Sequence, residues 1–269
     1  MRTGAMRVLA MINGLPCVRR AKVALGAMVL LATAGGQAIA ADCGFDPLGE
    51  GRVAAVIDAR SFRLQDGREV RLAGIEPVSS EIAPALAAML ADRDVKLRGE
   101  DDAPDRYGRQ SAFVLLAASE TSVQEELLKR GEALVSATVT DKGCAAALAA
   151  AEAAARQAKL GVWGDPSAIK NSESPGDILA GIGRFTLVEG KVLSVRQAGA
   201  TTYLNFGRNW TRDFAVTISR RVLPVLEAAG LVPKSLENRR IRVRGYVEAR
   251  GGPRIEVLRT GQIELVGGN

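Results

Sequence analysis

Histidine is absent from this chain of 269 residues. That absence excludes a histidine general base, histidine metal ligands and a Ser-His-Asp triad. Any hydrolysis must rest on carboxylates, arginines and a hard cation such as Ca²⁺, whose ligands are oxygens. Cysteine is scarce: Cys17, Cys43 and Cys144 are the only three. Long apolar runs are missing beyond residue 36, so no later stretch is a candidate to span a membrane. No internal repeat is evident.

What is present begins with the N-terminus. Arg2, Arg7, Arg19, Arg20 and Lys22 precede an apolar run from Val23 to about Gly36. Ala38-Ile39-Ala40 then offers small residues at the two positions a signal peptidase reads. Residues 1–40 therefore read as a secretory signal cleaved after Ala40, which places the mature protein in the periplasm or outside the cell. A membrane anchor is the alternative, but a run of about fourteen residues is short for a span. Cleavage removes Cys17 and leaves Cys43 and Cys144 as an even pair in an oxidising compartment. The two are expected to form a disulfide. It would close a loop of about 100 residues, for which the chain-entropy account gives up to roughly 4–5 kcal/mol. Two free buried thiols are the alternative.

Charge is divided unevenly. Residues 41–177 carry 16 Lys+Arg against 23 Asp+Glu, a net charge of −7, while residues 178–269 carry 15 against 7, a net charge of +8. The C-terminal part is thus the expected site for a polyanion. Two other readings stay open: a solvated basic surface, and electrostatic docking of the two parts on each other.

The pattern of residues predicts an α+β chain. Short strands are expected over 51–57, 61–65 and 69–75, with Asp66-Gly67 as a two-residue hairpin signal. A helix is expected from Ser80 to about Leu90, strands over 95–98 and 110–116, and helices over 122–130 and 142–160. This gives a small barrel with helices packed on it. Asn171–Asp177, rich in Ser, Pro and Gly, reads as a linker between domains at 41–170 and 178–269. Beyond it, five strands with one helix between the third and fourth predict a second, OB-like barrel.

Five places along residues 51–165 carry a resemblance. They are Val56-Ile57-Asp58, Arg71-Leu72-Ala73-Gly74-Ile75-Glu76, Asp105-Arg106-Tyr107-Gly108-Arg109, the helix from Val123 to Gly131, and the run from Ala151 to Leu160-Gly161-Val162-Trp163. In this order and spacing they resemble the staphylococcal-nuclease-like (thermonuclease) family. The resemblance implies an OB barrel with packed helices, metal-dependent phosphodiester hydrolysis, and Ca²⁺ as cofactor. It assigns phosphate binding to Arg71 and Arg109, and metal ligation to Asp58 and Glu76. Two pieces depart from the family pattern. Where the family has Asp-Gly-Asp-Thr, with its second aspartate on the metal, this chain has Asp58-Ala59-Arg60-Ser61, so a cation stands at the ligand position. The catalytic glutamate falls on Ser79, and a two-residue bulge would be needed to return Glu81 to that place. The resemblance therefore implies an activity weakened or lost, with Ca²⁺ held weakly or not at all. Each residue also has a structural reading: Arg71 paired with Glu76 or Glu69, Arg109 as a loop tether, Asp58 capping its turn, and Asp105 capping the Tyr107 loop.

The C-terminal part carries aromatics interleaved with arginines. Tyr203, Arg208, Trp210, Arg212, Arg242 and Arg244 are the candidate nucleic-acid contacts, since stacking on a cationic face is how OB barrels hold single strands. Alternation puts Arg240, Arg242 and Arg244 on one face of a strand. Three functions follow as expectations: a thermonuclease-family enzyme, a non-catalytic nucleic-acid or polyanion binder, and an envelope scaffold for protein interactions.

Overall fold

The computed structural model describes residues 43–267, residues 118 and 120 excepted. The expected signal segment and its cleavage point lie outside the described residues. No helix among those described is long and apolar enough to cross a membrane.

The chain is a mixed α+β structure. Its first half contains β1 (Asp46–Asp58), β2 (Ser61–Leu64), β3 (Glu69–Leu72), β4 (Ile75–Pro77), α1 (Ala83–Leu90), β5 (Asp94–Gly99), β6 (Arg109–Leu116), α2 (Val123–Lys129), β7 (Ala133–Val135) and α3 (Lys142–Gln157). Five of the strands close into a barrel in the order β1-β2-β3-β6-β5, with β3 and β6 parallel. Strand β1 serves both edges, pairing through residues 46–52 with β5 and through residues 53–58 with β2. Alternation fills the interior with Phe62, Leu64, Val70, Leu72, Val95, Leu97 and Val114, all buried. The Asp66-Gly67 hairpin forms as expected, and the Asp66 carboxylate accepts the Arg68 N–H at 3.0 Å.

Helices α1, α2 and α3 cover the barrel, each for a local reason. Ser79 caps the turn leading into α1, Ser122 caps α2 and Asp141 caps α3. Gln124, fully buried in α2, accepts the Val114 N–H at 3.2 Å and donates to the Ala112 carbonyl at 2.8 Å. It thereby satisfies backbone groups of β6 that the helix would otherwise strand. Gly131 and Gly161 have positive φ, and a Cβ on Gly131 would lie 2.1 Å from the Leu160 carbonyl oxygen. No other residue admits that approach of the end of α2 to the end of α3. Cys43 and Cys144 form a disulfide across 101 residues, tying the chain entry to the first turn of α3.

The second half contains β8 (Ile169–Asn171), α4 (Pro175–Leu179), β9 (Phe185–Lys191), β10 (Ser194–Ala198), β11 (Thr201–Asn205), β12 (Ala215–Ser219), α5 (Leu223–Ala228), β13 (Arg240–Arg250), β14 (Gly252–Val257) and β15 (Ile263–Leu265). Its strands run in the order β10-β11-β12-β14-β13-β9-β8, with β15 on β13. The ladder is an open path where a closed barrel was expected. Strand β10 at one end and β9, next to β8 at the other, are adjoining pieces of chain that bend at Val192 and Leu193. There the Val192 N–H donates to Arg239 and the Leu193 N–H donates to Asn205. The segment expected as a linker is built into this sheet. Strand β8 pairs in parallel with β9, Ser172 is buried, and α4 follows directly.

The two halves share a junction and make one compact unit. Leu134, Ala155 and Trp163 of the first half pack with Leu187 of the second. Beside them Arg244 of β13 pairs with Glu152 of α3 at 2.8 Å, the two side chains only 8% and 4% exposed. Arg244 also donates to the Val135 carbonyl at 2.9 Å, and Glu152 accepts the Val135 N–H at 2.7 Å. Both carboxylate oxygens and both terminal guanidinium nitrogens of the pair are thus hydrogen-bonded, as a buried charge requires. Removing one partner strands the other. Arg244→Ala is expected to lower unfolding stability by about 3–5 kcal/mol. Urea unfolding of both single variants and of an Arg244→Met/Glu152→Leu pair checks this, the double variant being milder than either single charge deletion.

Candidate functional site

A cavity of about 910 Å³ opens where β1, β3 and β4 face the second sheet. Asp58, Arg60, Arg71, Glu76 and Ser79 line it from the first half, and Arg184 and Tyr246 from the second. The sequence expectation brought Asp58, Arg71 and Glu76 to one place, and the structure brings them to this cleft.

Arg60 decides its chemistry. The guanidinium forms an ion pair with the Glu76 carboxylate and donates to the Ile75 carbonyl at 3.2 Å, with both side chains largely buried. Asp58 meanwhile accepts the Arg60 N–H at 2.8 Å and so caps the β1–β2 turn. Arg71 lines the cleft and makes no ion pair with any described residue. Tyr246 reaches in from β13. Its hydroxyl is pushed up from the ordinary tyrosine value by burial, then by the charge of Glu76 and a hydrogen bond to it, with Arg60 opposing.

Arg109 sits on the neighbouring strand, opposite Glu69 in the β3–β6 register. Its Nε and one terminal nitrogen donate to a single Asp105 oxygen at 3.0 and 2.8 Å, while the other Asp105 oxygen accepts the backbone N–H groups of Tyr107 and Arg109. The hydrogen bonds from the Arg109 side chain first, then those from the two backbone N–H groups, hold the Asp105 carboxyl below its usual value against the opposing effect of burial. Arg106 and Arg109 both lie against the exposed Tyr107 ring, at 4.7 and 4.9 Å from its centroid. Glu81 does not line the cleft: it is exposed, and its N–H is held by Ser79 Oγ at 3.1 Å.

Residues 70–165 match the family model described as staphylococcal nuclease homologue. The chain carries a staphylococcal-nuclease-like domain. No curated protein matches the chain. The matched stretch starts within β3, so Arg60 and strand β2 lie before it. The donors of this nuclease-like domain do not fit a calcium ion. Ca²⁺ takes six to eight oxygens, whereas here Glu76 is neutralised by a fixed guanidinium and Asp58 is bound to its own turn. The three grouped residues Cys43, Asp141 and Cys144 are no substitute, because the sulfurs are joined and Asp141 caps α3.

The basic residues of the second sheet divide into two groups. Arg240, Arg242, Arg244 and Tyr246 do share one face of β13, but that face turns toward the nuclease-like domain and its own acidic neighbours. Arg242 pairs with Glu189 at 2.7 Å and Glu264 at 3.0 Å, and Arg244 with Glu152. The expectation that Arg242 and Arg244 face nucleic acid is corrected: both are committed inside the protein. Burial pushes Glu189 up, but hydrogen bonds from Arg240 and Arg242 outweigh it and hold the carboxyl below the ordinary value. Tyr203, Arg208 and Trp210 come together away from that junction, at the β10–β11 end of the sheet, in a groove of about 740 Å³, joined by Arg196 and Arg254. Arg212 is exposed but does not line that groove. Arg196 was legible in principle. Counting back from the hairpin at Gly199 sets it opposite Tyr203, which is the register observed.

The raised Tyr246 pKa has a signed consequence. The folded state holds this proton to higher pH than the unfolded chain, so the contribution is present below about pH 10 and is lost as pH rises through the folded value. An ultraviolet titration should show one of the three tyrosines ionising last, and Tyr246→Phe should remove that component and no other.

Proposed function

We propose that this protein has exchanged metal-dependent phosphodiester hydrolysis for metal-independent binding of a nucleic acid or another polyanion. One observation carries the reading: the Arg60 guanidinium is bound to Glu76 where the family places a calcium ion. A cation fixed in the chain cannot recruit and polarise a water. Ser79, which stands where the family has its catalytic glutamate, cannot serve as a carboxylate base, a role typically contributing about 10²–10⁴ in rate. What remains is phosphate affinity without the means of cleavage, from Arg71 in the cleft and from arginines of the second sheet.

The strand order supports reading the second sheet as an OB-like barrel. If β9 and β10 count as one bent strand, the order and the parallel β12–β14 pair repeat those of the first barrel. The disulfide supports work in an oxidising compartment, periplasmic or extracellular.

The test incubates the disulfide-bonded protein with single-stranded DNA in Ca²⁺ and in chelator. The expected result is no Ca²⁺-dependent cleavage, with retention of a polyanion that weakens steeply as salt rises. Ca²⁺-dependent cleavage abolished in both Glu81→Gln and Arg109→Ala would overturn the proposal, because it would mean that the site completes itself on substrate binding.

A further inference from the structure

We propose that the groove across β10, β11 and β14 is a binding site for single-stranded nucleic acid, reading bases by stacking and phosphates by arginine. The inference rests on the polyanion-binding reading above and gives it a place and a ligand.

The groove is built from alternating positions. Ser194, Arg196 and Ala198 of β10 and Tyr203 and Asn205 of β11 point to the same side, with Arg196 beside Tyr203 and Ser194 beside Asn205 in register. The second row continues through Ala215 to Arg254. Arg254 lies 5.5 Å from the Tyr203 ring centroid, and its Nε is buried without a hydrogen-bond partner. No carboxylate among the described residues lines the groove. Glu256 ends the row of Tyr203 beyond Thr217, outside it. Arg196 and Arg208 make no ion pair with any described residue, unlike the arginines of β13. Three cations without counterions, set around a tyrosine, leave an anion with aromatic faces as the complementary ligand.

Trp210 supplies the second platform. It is 73% exposed, the most exposed of the large hydrophobic side chains among the described residues. Its loop is nonetheless held: Asp213 accepts the Asn209 N–H at 2.7 Å, and Asn209 accepts both the N–H and the hydroxyl of Thr211, at 3.1 and 2.6 Å. Gly207 is required there, since a Cβ would sit 2.0 Å from the Asp213 carboxylate. A large indole exposed on a pinned loop loses little conformational freedom when a ligand covers it. Bases in a duplex already stack on one another and offer it no free face, and a sulfated sugar has none to offer. Stacking and charge together therefore select a single strand.

The two tryptophans give a direct readout, because Trp163 is buried and Trp210 is not. Oligothymidylate of about 20 nucleotides is titrated into the full disulfide-bonded protein while tryptophan fluorescence is followed. Oligouridylate is run beside it to distinguish RNA from DNA as the source of the strand, with a duplex and heparin as comparisons. The expected result is quenching by a single strand and a loss of affinity of about 5- to 100-fold in Trp210→Ala, largely rescued in Trp210→Phe. With three phosphate contacts the logarithm of the binding constant should fall with that of salt at a slope of about −2, and Arg208→Ala should flatten it by about 0.7. Arg221→Ala, an exposed arginine away from the groove, should change nothing. Retention of duplex or heparin without quenching by either oligonucleotide overturns the groove and leaves the polyanion reading standing. Single-strand binding untouched by Trp210→Ala but weakened by Arg71→Ala moves the ligand to the cleft and also overturns the inference. If no polyanion is retained at low salt, both readings fall.

Discussion

The buried pair of Arg244 and Glu152 is the constraint from which the rest of the molecule follows. It joins β13 to α3, and both partners also bind Val135, through its N–H and its carbonyl. Val135 lies in β7, which pairs with β4 so that Glu76 stands opposite Leu134. The contact that fixes the second sheet on the nuclease-like domain thus also fixes the strand carrying Glu76. Tyr246, two residues along the same face of β13, then lands against Glu76 and Arg60. Replacing the pair by apolar residues would keep much of the stability, since desolvation offsets much of the Coulombic gain. Its directional hydrogen bonds to β7 would go.

Docking explains where the charge imbalance goes. Part of the basic excess of the second half is taken up by carboxylates: Arg244 by Glu152 of the first half, and Arg242 and Arg240 by Glu189 of their own sheet. Of the arginines left over, Arg196, Arg208 and Arg254 gather at the β10–β11 end of the sheet around Tyr203 and Trp210. At β13 the sheet uses its cations to hold the protein together, while at β10, β11 and β14 its cations have no carboxylate to hold. In the cleft the same economy of charge is reached within a single ion pair, where Arg60 neutralises Glu76.

Most of the first barrel was legible because its cues are local. The Asp66-Gly67 turn and the apolar alternation of β2, β3 and β5 each act over a few residues. The Cys43–Cys144 disulfide followed from a count of two. The site was legible in its parts: Arg60 at a ligand position was visible, but its partner was not, because Glu76 reaches it from β4, which lies in a different sheet. Alternation correctly put Arg240, Arg242 and Arg244 on one face. It could not say that the face was covered, since α3 approaches from almost a hundred residues earlier in the chain. The linker was misread because Ser, Pro and Gly mark turns equally well when the turn is packed, as Ser172 is. Glu81 missed the cleft because Ser79 uses its hydroxyl to hold the turn that would have had to bulge.

The claim at the centre of this account is that Arg60 has taken the place of a metal ion. Calorimetric titration of Ca²⁺ into the protein and into an Arg60→Asp variant tests it most directly. The account predicts no saturable Ca²⁺ binding by the protein at millimolar concentration, and binding gained in Arg60→Asp, where Glu76 is released and a second carboxylate is supplied. Saturable Ca²⁺ binding by the unaltered protein, abolished by Glu76→Gln, would contradict it.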